Sequence, residues 1–201
     1  RSTLFPYTTL FRSRTGFNPS LNINKHFRIF GSIASGFKAP SIFQVYDKSS
    51  GNPDLEAEES VNYEAGIQHQ HDKIGTRLVY FHRKIKNGID FDYVNFKYFN
   101  FVKQEVDGVE FEITAKPVKK VSITANYTFI SGEETTQSRI TVKDTSYNHL
   151  LRRPKHNINM TIGYQFNQPF YVSLSGKAVS DRYDTGGYQA ADIKQIGRAH
   201  V

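Results

Sequence analysis

Four groups of residues in this chain have types and spacings that chemistry can use. The run Asp54-Leu55-Glu56-Ala57-Glu58-Glu59 brings acidic oxygens together, the ligands a hard divalent cation takes, although nothing in the spacing fixes a coordination geometry. His69 and His71 stand beside Asp72 in "HQHD". They could hold a transition metal, but they sit in a polar run that reads as a solvated turn. Arg152, Arg153, Lys155 and His156 form a basic group suited to an anionic partner. Phe43, Tyr46 and Tyr147 lie in irregular segments, and together with Arg152 they are the candidate ligand-binding residues. No catalytic residue is expected: Gly-x-Ser-x-Gly, a phosphate-binding loop and His-Glu-x-x-His are all missing from the sequence. The chain has no cysteine, which removes thiolate metal sites and disulfides. The expectation is a protein that is not an enzyme and has no cofactor, with loop-bound calcium at the glutamates as the one ion to test for in the full-length protein.

The elements that must position these residues are strands. Val61, Tyr63, Ala65 and Ile67 alternate with Asn62, Glu64, Gly66 and Gln68. Val121, Ile123, Ala125, Tyr127 and Phe129 alternate with Ser122, Thr124, Asn126 and Thr128. Ile158, Met160, Ile162, Tyr164 and Phe166 alternate with Asn159, Thr161, Gly163 and Gln165. A period of two held this long predicts strands. Weaker alternation predicts more around Leu21–Ile23, Phe27–Ile33, Val109–Ala115 and Phe170–Leu174. Another lies within Thr76–Phe91, where the phase is ambiguous. That makes about eight strands. Short polar turns at 24–26, 69–75, 116–120 and 167–169 alternate with long irregular segments at 37–59, 84–104 and 131–155.

Composition narrows the architecture. Aromatics make up 14% of the chain, while hydrophobic residues reach only 38%. The polar face of the three best strands is Ser, Thr, Asn, Gln and Gly, with Glu64 its one charge. The apolar face carries no charge, and Tyr and Phe cluster near strand ends. Half-polar strands with aromatic ends, short turns at one rim and long loops at the other are the anatomy of an outer-membrane β-barrel. A soluble β-sandwich would carry Lys and Glu in quantity outside. The expected fold is therefore all-β, an antiparallel transmembrane barrel fragment.

The stretch "FKAPSIFQVYDKSSGNPDLEAEES" then has a place. Phe37-Lys38-Ala39-Pro40, Gly51-Asn52-Pro53-Asp54-Leu55, Gly108-Val109-Glu110-Phe111-Glu112 and Leu151-Arg152-Arg153-Pro154-Lys155-His156 resemble, in order, motifs of the TonB-dependent outer-membrane receptors. The resemblance covers 14–195 and corresponds to the second half of the barrel domain. Phe37-Lys38-Ala39-Pro40 with Gln44 and Tyr46, and Arg152-Arg153-Pro154-Lys155-His156, look closest to the cobalamin receptors. The resemblance implies a barrel of about 22 strands plugged by an N-terminal domain that this chain lacks. It also implies uptake of a scarce nutrient, cobalamin first, driven through a TonB energy complex. A ferric siderophore, haem or glycan receptor is the alternative, and a passive porin or soluble β-sandwich binding protein the second. Outer-membrane lipid and lipopolysaccharide are the expected surroundings, and nucleic acid is not an expected partner.

Both ends read differently. Arg1–Ser13 and Ile196–Val201 each back-translate, codon for codon, into synthetic sequencing-adapter DNA. They are expected to be non-native tails flanking a barrel segment at 14–195. Without Arg1, Arg12 and Arg198 the 26 basic residues become 23 against 19 acidic ones, and the net charge falls from +7 to +4, too modest to call for nucleic acid.

Overall fold

The computed structural model describes residues 12–92, 95–137, 144–150, 153–184, 193–195 and 199–200. In chain order the elements are β1 (Arg12–Phe17), β2 (Ser20–Asn22), β3 (Phe27–Lys38), α1 (Ile42–Tyr46), β4 (Glu58–His71), β5 (Ile74–Asp92) and β6 (Lys97–Ala115). Then follow β7 (Val121–Gln137), β8 (Asp144–Tyr147), β9 (His156–Asn167), β10 (Phe170–Val179), β11 (Arg182–Asp184), β12 (Ile193–Gln195) and β13 (Ala199–His200). Eleven strands make one open antiparallel sheet in the order β1-β3-β4-β5-β6-β7-β9-β10-β13, with β2 on β3 and β8 on β7. β11 and β12 pair separately. From β3 to β7 each strand pairs with the next in sequence, so this part of the sheet is a meander in which tight turns alternate with longer connections such as the one that carries α1.

The register aligns the alternating faces across the sheet. Ile29, Ile67, Leu78, Phe111, Tyr127 and Ile158 form one row. Ala115, Ile123, Ile162 and Leu174 form another. No second layer of the described residues covers these rows: Ile158 stays 46% exposed, Ile162 41% and Leu174 63%. A water-soluble sandwich would hide them. Only Val79, Val106 and Leu150 are buried apolar residues among those described, and Val79 and Val106 lie on the opposite face.

The apolar belt has a sharp upper edge. The row Ile33-Tyr63-His82-Asp107-Ser131 begins the change, and the next outward row reads Ser35-Val61-Lys84-Glu105-Glu133. Tyr80 donates its hydroxyl hydrogen to Asp107, His82 Nδ1 lies 2.9 Å from Asp107 Oδ1, and Tyr127 Oη lies 2.8 Å from His156 Nδ1. Below this edge β7 presents five apolar side chains over Val121–Phe129. Nine residues, tilted as barrel strands are, span about 23 Å of height, enough for the hydrocarbon layer. Packed rings close the lower edge, Tyr164 and Phe166 edge-to-face with centroids at 4.7 Å and Phe166 and Phe170 tilted at 5.4 Å.

Two segments differ from the sequence expectation. Residues 84–104, expected to be irregular, continue β5 and β6 into a long hairpin of 19-residue strands. The segment 131–155 is strand as far as Gln137, where β8 pairs back onto β7. Above the belt neither face meets hydrocarbon, so no selection for alternation acts there, and strands persist without the pattern. The ambiguous phase of 76–91 also has a cause. Phe30 and Phe81 face inward, each lying over the glycine opposite it. A Cβ on Gly66 would come within 2.4 Å of Phe30 and one on Gly108 within 2.3 Å of Phe81. Inward aromatics resting on cross-strand glycines blur a polar-in pattern.

An exposed apolar face and open sheet edges set the first expected outcome. Expressed by itself in plain buffer, the chain aggregates, and light scattering finds a homogeneous species only with detergent. A monodisperse monomer without detergent would contradict the belt.

Candidate functional site

The loop between β3 and β4 begins with a five-residue helix. The Ser41 hydroxyl oxygen accepts from Gln44 N at 3.2 Å and Gln44 Oε1 accepts from Ser41 N at 2.8 Å, a reciprocal cap. Asp47 ends the helix. Its carboxylate accepts from Ser50 Oγ at 2.7 Å and Ser50 N at 2.9 Å, and from Ser49 Oγ at 3.1 Å and Ser49 N at 3.2 Å. The Ser50 bonds, then those of Ser49, hold Asp47 below the usual carboxylate range.

Gly-Asn-Pro-Asp-Leu-Glu is the strap that ties this loop to the β5–β6 hairpin. A Cβ on Gly51 would meet Asp47 O at 2.5 Å, so only glycine fits. Asn52 donates its backbone N–H to Gln44 O at 2.8 Å and its side-chain N–H to Tyr98 O at 2.9 Å. Tyr98 N donates to Ser50 O at 3.0 Å. Asn100 Oδ1 accepts from Glu56 N at 2.9 Å, and Asn100 Nδ2 donates to Asn87 O at 2.7 Å. Asn87, at φ 53°, donates to the Glu56 carboxylate. Replacing Asn52 by Ala removes the side-chain bond to Tyr98 O and the one its Oδ1 accepts from Asp54 N at 3.1 Å, with an expected local cost of about 1–3 kcal/mol. Faster hydrogen exchange at Tyr98 N would report it; unchanged protection would refute the strap.

On the inward face lies a cavity of about 450 Å³ whose lining includes Gly36, Glu58, Ser60, Asn62, Arg83 and Arg153. Arg83 Nε donates to Asn62 Oδ1 at 2.7 Å. Its terminal nitrogens make no hydrogen bond to another described residue, so they face the cavity unspent. Glu58 is matched by Lys38 at 3.6 Å, which leaves the two guanidinium groups as the cavity's net charge. Beside it Glu134 is buried and accepts from Gln104 Nε2 at 2.7 Å. Burial raises its pKa, with Asp90 adding to the rise and Gln104 and Arg153 opposing it.

The two acids carry opposite signs of pH dependence. Asp47, depressed, stabilises its loop above the unfolded carboxylate value, and that contribution is lost as pH falls through the depressed one. Glu134, raised, favours the folded loop side while protonated, and that contribution is lost as pH rises through the raised value. Glu134→Gln should therefore add about 1 kcal/mol of local stability at neutral pH. The new amide also offers a donor to Gln104 Oε1, which is buried without a partner. Hydrogen exchange on β7 above Ser131 measures it, and a loss of protection would count against the reading.

The structure separates the residues singled out in the sequence. Phe43 and Tyr46 sit on α1, 59% and 74% exposed, with the Phe43 ring edge-on to Tyr98 at 6.3 Å. Tyr147 is on β8 opposite Glu134, its ring 5.7 Å from His149. Neither α1 aromatic nor Tyr147 lines the cavity. Arg152 lies outside the described residues. Within the acidic run Glu56 holds Asn87 and Glu58 pairs with Lys38, so two of its four carboxylates are engaged within the fold. Among the described residues no group of three His, Cys, Asp or Glu is arranged to hold a metal. Arg83 was not singled out: its inward direction depends on the β4–β5 register, which puts it opposite Asn62.

Comparison with known proteins fits this geometry. The family model described as TonB dependent receptor-like, beta-barrel matches residues 1–197. The ferrienterobactin receptor of Escherichia coli (strain K12) is 25% identical over 219 aligned residues, which take in 89% of this chain and 28% of that receptor. The ferric enterobactin receptor of Pseudomonas aeruginosa superposes with a TM-score of 0.68 at 21% identity, over 92% of this chain and 31% of its own. The ferric yersiniabactin uptake receptor of Yersinia pestis gives 0.69 at 18%, over 92% and 28%. At these identities the structural likeness speaks for the fold alone. The chain spans under a third of each relative. The names of these relatives give no support to cobalamin and favour the siderophore alternative. Of the residues that suggested cobalamin, Gln44 caps α1 and accepts from Asn52 N, a role in the scaffold that carries no cargo information.

Proposed function

Since the chain belongs to the TonB-dependent receptor β-barrel family, we propose that it is part of a receptor that takes up a ferric siderophore. It is a protein of the Gram-negative outer membrane, in a family of transporters rather than enzymes. The whole protein would carry a plug inside the barrel and draw on the TonB complex for energy. The barrel segment would run from residue 14 to 195, with residues 1–13 and 196–201 as non-native tails; genomic DNA spanning both junctions tests that boundary.

The observation that carries the cargo class is the inward cavity with Arg83 and Arg153. A ferric tris-catecholate chelate is a compact polyanion, and guanidinium groups in a partly enclosed site bind anionic oxygens through charge-assisted hydrogen bonds. Cyanocobalamin has no net charge to exploit them. The test is competition binding on the full-length receptor in detergent, with ferric enterobactin, haem and cyanocobalamin as competitors. Saturable binding of the ferric catecholate, weakening with added salt, is the expected result. Preference for cyanocobalamin or haem would overturn the cargo assignment and leave the family untouched.

A further inference from the structure

The rim of short turns is cationic in a way the opposite rim is not. It carries Lys25, Lys73, Lys116, Lys119 and Lys120, with His26, His69 and His71, against Asp72 alone. Backbone hydrogen bonds run these turns into one continuous edge: Gln70 N to His26 O, Lys116 N to Lys73 O and Gln165 N to Lys120 O, each at 2.8 Å. All five lysines are exposed. Lys120 Nζ donates to Phe166 O at 3.2 Å. The ammonium groups of Lys25, Lys73, Lys116 and Lys119 meet no acceptor among the described residues. At the long-loop rim the outward lysines Lys84, Lys86 and Lys103 are interleaved with Glu59, Glu105 and Glu133 instead.

The cationic edge adjoins the lower aromatic girdle. Phe27 packs at a tilt against His69 with ring centroids 4.6 Å apart, Phe166 O takes the Lys120 bond, and Val118 stands 57% exposed between Lys116 and Lys119. Apolar side chains beside solvated ammonium groups mark the depth of lipid headgroups. We infer that this edge binds the phosphates of anionic phospholipids in the periplasmic leaflet, phosphatidylglycerol above all. The source is phospholipid rather than lipopolysaccharide, because short turns face the periplasm and long loops the cell exterior. The inference rests on the barrel's placement in the outer membrane and not on the cargo.

Native mass spectrometry of the full-length receptor, released from neutral detergent with equal amounts of phosphatidylglycerol, phosphatidylethanolamine and lipid A, tests it without any siderophore present. Phosphatidylglycerol should be retained in preference. The variant with Lys25, Lys73, Lys116 and Lys119 each changed to Gln should lose that retention by about tenfold or more. A control with Lys84, Lys86 and Lys103 changed to Gln should keep it. Equal retention of the two phospholipids, a preference for lipid A, or loss in the control alone would overturn the inference. If the fourfold variant does not fold, raising salt on the unaltered receptor must strip phosphatidylglycerol first; retention indifferent to salt would also overturn it.

Discussion

Changing Ile162 to Lys should destabilise the receptor containing this chain by about 2–4 kcal/mol in lipid vesicles, roughly 30- to 1000-fold in the folding equilibrium. Ile162 is the middle of the five outward apolar residues of β9, between Ile123 on β7 and Leu174 on β10. It is 41% exposed with no other part of the described chain over it. On the surface of a soluble sheet that exposure would make lysine nearly neutral. In hydrocarbon the ammonium loses its hydration and has no partner within reach, so the sign and size of the effect report what covers the sheet. Thr161→Lys is the matched control: its hydroxyl faces inward, 2.8 Å from Ser175 Oγ, where a lysine can stay wet. Urea titration of both variants decides the matter. Equal, small effects would mean that water meets both faces.

The same physics explains what could be read before the structure. Hydrocarbon forces each outward residue between the two girdles to be apolar, so Val121–Phe129 and Ile158–Phe166 announce their faces. Turn residues such as Asp72-Lys73 and Gln168-Pro169 announce the short rim. Above the belt that constraint ends. β5 and β6 run on past His82 and Asp107 with Lys, Glu and Asn on either side, and a hairpin reads there as loop. The recognition residues suffer the same loss. Phe43 and Tyr46 are conspicuous because apolar residues in a polar loop stand out, yet they decorate α1 away from the cavity. Arg83 is inconspicuous because it sits in "HRKIK", where charge is ordinary and only the register to Asn62 gives its direction. The Gly51–Glu56 strap was legible as a motif but not as a fastening, since its partners Asn87, Tyr98 and Asn100 lie 31 to 46 residues away.

Removing both cavity guanidinium groups, Arg83→Ala with Arg153→Ala, should weaken ferric-catecholate binding by about 30- to 1000-fold, the loss of roughly 2–4 kcal/mol of charge-assisted contacts. The barrel should survive the change, because neither side chain supports the apolar belt and neither forms an ion pair with Glu58, which Lys38 already satisfies. Arg83→Lys is the sharper variant. A lysine reaching Asn62 Oδ1 has spent its one ammonium there, whereas arginine holds Asn62 with Nε and still turns two nitrogens to the cavity. The conservative change should therefore lose most of what the alanine loses. Asn62→Ala, which unpins the guanidinium without deleting it, should fall between them. Full affinity in the double alanine variant, alongside an intact preference for ferric catecholate, would move the cargo to the exposed aromatics of α1 and leave this cavity as solvent-filled lumen. Affinity lost by alanine and restored by lysine would reduce the role of Arg83 to bulk charge, since a point cation would then serve as well as the fork.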